Sequence, residues 1–437
     1  MVGQRSYYQF SIRRFQNKLS YVELVQRTCI TVKPGIDFVS RSGSGDTTFQ
    51  RFFICFQASA YGFEVGCRPM LFLDETHIKE HRVQGVILAV SALNGNNELF
   101  NVAYSITDSE TYDNWVWFLE NLKKALLSDR RMAFLLDRGK GLKEAVPDIF
   151  PIDHHGYRFQ HIMQNFNDQC VGKYAAPFKK LLRKILQRIA YAVTEQEYQD
   201  AMMAMELNYA DAKEWVLQND VDHWSHARFL GQRFGELLAE SFNNWIHDAR
   251  SLPILQMVDK IRVQMMEMAA KRKIDAALWD TPYCPKVQKI IEKNLQERRS
   301  LAICHSDGIK FEVIKSMKTY AVDLHLQTCS CGHWQLVKIP CKHACAAIGS
   351  NNEAVSQYDS AFYSTEVYKA AYERNIQPIP TFDMPDPAST IRCFHQATDN
   401  KKVAWKTEKE ENTFKRRSRS CVYLFKVQTN RSQPKNL

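Results

Sequence analysis

Asp74 and Asp137 each close a short apolar run, Met70-Leu71-Phe72-Leu73 and Met132-Ala133-Phe134-Leu135-Leu136, and this repeated arrangement constrains the fold more than any other feature. Apolar runs of about four to eight residues without a helical period read as buried strands. Gly85–Leu93 and Leu99–Ile106 are two more, separated by the turn sequence Asn94-Gly95-Asn96-Asn97. Short connections make the first three runs an antiparallel meander. Residues 114–127 place Trp115, Phe118, Leu119, Leu122, Ala125 and Leu126 at helical spacing. Residues 141–149 predict a second helix and Tyr157-Arg158-Phe159 a fifth strand. The order strand, strand, strand, helix, strand, helix, strand predicts an α/β fold.

The rest of the chain has a different texture. Residues 160–275 carry few glycines and read as helical, with basic faces such as Lys179-Lys180-Leu181-Leu182-Arg183-Lys184. Strand alternation returns between Phe311 and Gln327 as a hairpin. Beyond Pro378 and Pro380 order fades, and residues 383–437 are polar and basic, with the run Lys415-Arg416-Arg417-Ser418-Arg419 reading as an import signal, a phosphate patch or a solvated charge run. Residues 1–50 mix basic, aromatic and polar types, with Arg41–Asp46 as a link. The 58 basic and 48 acidic residues leave a net charge of +10, which permits a polyanionic partner without requiring one. No stretch reaches the roughly 18 uninterrupted apolar residues of a membrane span, and Met1–Ser6 leads into no apolar secretory core, so no membrane association is expected and a cytosolic or nuclear location is. In such a compartment thiols stay reduced, and clustered cysteines are read as metal ligands.

Two strands side by side would bring Asp74 and Asp137 together as a hard-oxygen site for Mg²⁺ or Mn²⁺, which a third acid would complete into a two-metal centre. Either aspartate alone reads better as a cap or turn residue, and the pairing of the two is what favours a metal site. The second constellation is Cys329-Ser330-Cys331 and then, after nine residues, Cys341-Lys342-His343. Three thiolates and one imidazole fill a tetrahedral Zn²⁺ shell, and a closed shell is structural. Trp334, Ile339, Ala344 and Ile348 supply a small core that the metal completes. His333 and Cys345 are rival ligands by type, and Lys338, Lys342 and His333 are candidate phosphate contacts.

The tract Gly66–His77 resembles the first catalytic segment of Mutator-like element (MULE) transposases. Gly85–Ala89, Asn94–Asn97 and Glu110-Thr111-Tyr112-Asp113-Asn114-Trp115 fit that family too. Asp137-Arg138-Gly139-Lys140-Gly141-Leu142 resembles the family's second segment, and Ala239-Glu240-Ser241-Phe242-Asn243, with Ala249-Arg250 and Pro253-Ile254, the helix of its third acid. The cysteine module resembles the SWIM zinc finger that commonly comes after that core. The resemblance, from about Phe49 to Pro380, implies a ribonuclease-H-like mixed sheet with a helical insertion, a small ββα zinc module and a disordered basic tail. It divides the chain into a basic segment (1–50), a transposase domain (51–255, insertion about 165–225), a helical connector (256–310), the zinc finger (311–350), a post-zinc segment (351–382) and the tail (383–437).

It also implies the catalytic triad Asp74, Asp137 and Glu240, with Glu236 a rival on the same helix face, and His77, Arg138 and Lys140 as phosphate contacts. Structural Zn²⁺, catalytic Mg²⁺ or Mn²⁺, double-stranded DNA such as transposon ends, homo-oligomeric assembly and a nuclear location are implied as well; a small-molecule substrate is not. Three positions depart from the family. Leu136 replaces a serine, Arg158 replaces the cysteine of a Cys-x-x-His pair and leaves His161, and Arg233–Ala239 is short. The first 60 residues hold only Cys29 and Cys55 and no histidine, so no upstream zinc domain for transposon ends is expected in them. The sequence supports two main readings, a DNA cleavage and strand-transfer enzyme or a non-enzymatic regulator that keeps the fold and the zinc module; a third, a SWIM-containing adaptor for other proteins, fits the zinc module but ignores the core.

Overall fold

The computed structural model describes residues 36–40, 47–80, 85–126, 128–137, 139, 141–170, 174–229 and 242–379. Its centre is a seven-stranded mixed sheet of β1 (Ile36–Ser40), β2 (Thr47–Ile54), β3 (Cys67–His77), β4 (Val86–Asn94), β5 (Leu99–Thr107), β6 (Ala133–Leu136) and β7 (His154–Tyr157), in the order β1-β2-β5-β4-β3-β6-β7. The strands from β1 through β3 pair antiparallel, whereas β6 lies parallel to β3 and β7 parallel to β6.

Every residue of β4 and β5 is buried, because both sheet faces are covered. Successive side chains alternate between the covers. Phe53, Leu88, Val90 and Leu136 enter one core with Trp115, Phe118, Leu119 and Leu122 of α2 (Tyr112–Leu126), after α1 (Gln57–Gly66) and ahead of α3 (Leu142–Ile149). Phe52, Ile54, Ile87, Ala89 and Ile106 enter another with Met257, Val258 and Ile261 of the long helix Ile254–Ala277. Four helices, α4 (Phe159–Gln169), α5 (Ala176–Tyr191), α6 (Glu195–Asn208) and α7 (Ala210–Gln218), come after β7 and extend the first core through Ile162, Leu182, Ile189 and Met205.

The meander, its turn and the helix after it match expectation. The turn closes because the Asn94 Oδ1 accepts from the Asn96 and Glu98 backbone N–H groups, 3.0 Å each, while Asn97 takes a left-handed φ of 56°. Three differences matter. β1 and β2 extend the sheet on its far edge, where only a polar segment and link were expected. β3 runs on through Asp74 to His77, since Glu75, Thr76 and His77 pair with Leu88, Ile87 and Val86. The fifth strand is His154–Tyr157, three residues earlier than its apolar signal, because β6 pairs it through the uncharacteristic His154-His155-Gly156.

The cysteine region forms a separate four-stranded sheet of β8 (Ala302–His305), β9 (Lys310–Lys315), β10 (Lys318–Asp323) and β11 (Thr328–Cys329), covered by a helix, Lys342–Ser350. The chain then returns to the main sheet. Helix Thr365–Ala371 lies against α1 at Gly62 and Gly66, where a Cβ would collide with Ala371, and Ile376 and Ile379 complete the second core. The tail from residue 383, with Lys415–Arg419, lies outside the described residues.

Candidate functional site

The parallel register builds the acidic site. Leu73 pairs with Leu136, and Leu136 with Tyr157, so the next residues along β3, β6 and β7 are Asp74, Asp137 and Arg158. Asp74 is thus an interior residue of β3, while Asp137 comes just after its strand. The Arg158 backbone N–H donates to the Leu136 carbonyl at 3.0 Å, which extends the ladder and fixes where its side chain starts. Asp74, Glu75, Glu110 and Asp137 line an open cavity of about 440 Å³ with Arg158, His161 and Asn243.

Inside it the charges are closely paired. The Arg158 Nη1 lies 3.0 Å from the Asp137 Oδ1 and 3.5 Å from the Asp74 Oδ1. The His161 Nε2 is 2.8 Å from the same Asp137 oxygen. Asn243 donates its Nδ2 to the Asp74 Oδ1 at 3.1 Å and to the Glu75 carbonyl at 2.9 Å. The three charged side chains are only 8%, 17% and 12% exposed for Asp74, Asp137 and Arg158. Burial, aided by the Asp137 charge, pushes Asp74 up to about 7. Burial works on Asp137 too, but the hydrogen bond from His161 and the charges of Arg158 and His161 outweigh it and hold Asp137 below the usual range. Burial also raises Glu110, which accepts from the Trp115 indole N–H at 3.4 Å.

A divalent ion does not fit between Asp74 and Asp137 as they stand, because a guanidinium already lies there. His161 reaches Asp137, but among the described residues no three His, Cys, Asp or Glu ligand atoms that include both aspartates lie within 4.8 Å of one another. Of the other expected site residues, His77 ends β3 mostly exposed with its Nδ1 2.7 Å from the Glu75 Oε1, and it is not part of the cavity wall. Glu240, its rival Glu236, Arg138 and Lys140 lie outside the described residues. Neither Glu110 nor Asn243 carries a signal of its own in the sequence, although both sit inside tracts that resemble the family, and Arg158 stands out there only as a departure from the family pattern.

The second constellation is compact. One ligand atom each from Cys329, Cys331, Cys341 and His343 falls within 4.8 Å of all the others. The Cys331 and Cys341 sulfurs are 3.5 Å apart, and the His343 Nδ1 lies 3.7 Å from Cys329 Sγ and 3.9 Å from Cys341 Sγ. Sulfurs each about 2.3 Å from one tetrahedral ion stand roughly 3.8 Å apart, so these edges suit zinc. Hydrogen bonding among the three thiols pushes Cys331 down and Cys329 up. The imidazole is fixed by stacking on Tyr320, 3.9 Å between centroids, and Trp334 is buried beneath. The rivals fall away. Cys345 donates to the Pro340 carbonyl at 3.4 Å with its thiol pushed up to about 12 by burial, and the His333 Nδ1 faces the Cys331 carbonyl at 3.2 Å. Lys342 is held by Glu297 at 2.8 Å.

Fold and site together define a mixed α/β protein with a sheet-borne acidic pair and a Cys₃His zinc module. Residues 70–165 match the MULE transposase domain, a stretch that spans Asp74, Asp137, Arg158 and His161. Residues 320–352 match the SWIM zinc finger and contain all four residues of the Cys₃His cluster. The chain therefore carries a MULE transposase domain followed by a SWIM zinc finger. No curated protein matches it.

Proposed function

We propose that the protein is a transposase-derived, zinc-stabilised binder of double-stranded DNA that works in the nucleus. Its sheet is then ribonuclease-H-like, with β3, β4, β5, β6 and β7 as the five strands of that fold. Its acidic pair descends from a site for metal-dependent DNA cleavage and strand transfer, in which Glu240 was the third acid. The observation that carries this is the register-imposed placement of Asp74 beside Asp137 on neighbouring parallel strands. Asn243, which reaches Asp74, stands three residues after Glu240 and supports assigning the third acid to that stretch.

The cationic surface supports DNA as the partner. On α5, Lys180, Arg183, Lys184 and Arg188 are exposed along one face, opposite the buried Leu182, Ile185 and Ile189. That helix contains no acidic residue. Phosphate contacts of this kind bind without reading sequence.

The chemistry of the pair, with Arg158 in place, favours binding without cutting. Retention of both aspartates in an open cavity favours the second reading, an active strand-transferase. A nicking and strand-transfer assay with Mg²⁺ or Mn²⁺, run beside a DNA-binding titration on zinc-loaded protein, separates them. Binding with no cleavage is the expected result. Cleavage lost in both Asp74→Asn and Asp137→Asn would establish the enzyme instead, and failure to bind DNA at low salt would remove both readings.

A further inference from the structure

We infer that Arg158 is a built-in cation that holds the acidic pair closed to divalent metal, so that removing its guanidinium opens a Mg²⁺- or Mn²⁺-binding site between Asp74 and Asp137. The inference rests on reading those aspartates as former metal ligands.

The geometry leaves the guanidinium little alternative. Its residue is tied into the ladder by the 3.0 Å bond from its own N–H to Leu136, one position beyond the paired Tyr157. The side chain is 12% exposed and meets one oxygen of each carboxylate at 3.0 and 3.5 Å. Those same oxygens are further occupied, at Asp137 by His161 and at Asp74 by Asn243. Both acceptors that a bridging ion would use therefore already have two partners.

Chemistry makes the substitution one-sided. A cysteine, histidine or carboxylate at position 158 could lose a proton and join a metal shell. Arginine stays charged throughout the working range and has no lone pair to offer. It supplies the positive charge that the pair requires, as a divalent ion would, but presents no open coordination position. An incoming ion would have to displace a cation anchored by the backbone, or sit beside it against charge repulsion in a poorly solvated place. Guanidinium and divalent ion are thus mutually exclusive occupants.

The test is Mn²⁺ uptake by the full zinc-loaded chain, monitored by the loss of the free-ion EPR signal, for wild type, Arg158→Ala, Arg158→Gln and Arg158→Lys. Arg158→Gln keeps hydrogen-bonding capacity and covers the case in which the alanine variant fails to fold. Uptake should tighten about 10- to 100-fold in the alanine and glutamine variants, the range over which neighbouring groups tune metal sites. It should stay at the wild-type level in Arg158→Lys and be lost again when Asp137→Asn is added. Added Mn²⁺ should raise the melting temperature of the opened variants and not of the wild type. Equal uptake by wild type and folded Arg158→Gln, no uptake by either, or uptake by Arg158→Lys matching Arg158→Gln would each overturn the inference. The same preparations report DNA affinity, so absence of DNA binding beside a clear Mn²⁺ difference would sink the proposed function and leave this inference standing.

Discussion

Asp74 illustrates how one buried charge couples local geometry to stability. Its folded pKa is raised from 3.8 to about 7, so the folded state holds the proton more tightly than the unfolded chain. The associated stability is fully present below about pH 4 and is lost as pH rises through about 7. Asp74→Asn removes that dependence while keeping an acceptor for Asn243. In buffer without Mg²⁺ or Mn²⁺, the variant should be more stable than wild type at pH 8, by on the order of 2 kcal/mol, with the difference vanishing toward pH 4. Melting curves across that range check it, and a variant less stable at pH 8 would show that the ion pair with Arg158 outweighs burial. At the zinc centre the corresponding contrast is between neighbours one helical turn apart. Cys341→Ser should abolish the single equivalent of bound zinc and unfold Lys310–Ser350, whereas Cys345→Ala should retain both metal and fold, because Cys345 Sγ faces Pro340 and not the cluster. Metal content and hydrogen exchange over that segment distinguish the two.

Among elements, α5 shows what amphipathicity leaves free. Its buried stripe fixes the helix against the first core, and the opposite stripe presents the exposed Lys180, Lys184 and Arg188. If this face meets phosphates, each lysine replaced by alanine should weaken DNA binding and lower the slope of log K against log salt by about one. Binding measured at several salt concentrations tests this, and an unchanged slope would move the DNA contact elsewhere. Elements also mark how far the sequence could be read. The meander and α2 were legible because continuous apolar runs and three-and-four spacing are local signals. Asp74 and Asp137 were legible as a pair because both end such runs. β7 starts ahead of its local signal because tertiary pairing, not propensity, makes His154-His155-Gly156 a strand, and β2 has no clean period to read. Arg158 could not be placed by any local signal: its role arises only when the register sets Leu73, Leu136 and Tyr157 side by side.

For the molecule as a whole, the path of the chain matters more than the boundaries of its modules. After the zinc module the chain returns to the main sheet, where the Tyr368 hydroxyl donates to Glu98 at 3.1 Å and Arg272 donates to the Tyr372 hydroxyl at 3.0 Å. Asn94, in the turn between β4 and β5, also donates to that Tyr372 oxygen at 3.0 Å. Tyr363, Tyr368, Ala371, Tyr372, Ile376 and Ile379 are all buried. The post-zinc segment is therefore part of the core that carries the acidic pair, and the described residues through Ile379 belong to one compact unit. Losing one large buried side chain costs about 3–5 kcal/mol, which is already a large share of a typical total stability of about 5–15 kcal/mol. A chain ended at Asn352, where the SWIM match stops, should consequently fail to fold its main sheet and aggregate, even with zinc supplied. A chain ended at Met384 should melt cooperatively, hold zinc and bind DNA. Cooperative melting of the shorter chain with its acidic cavity intact would show that the zinc module and the returning segment are accessories to a self-sufficient sheet.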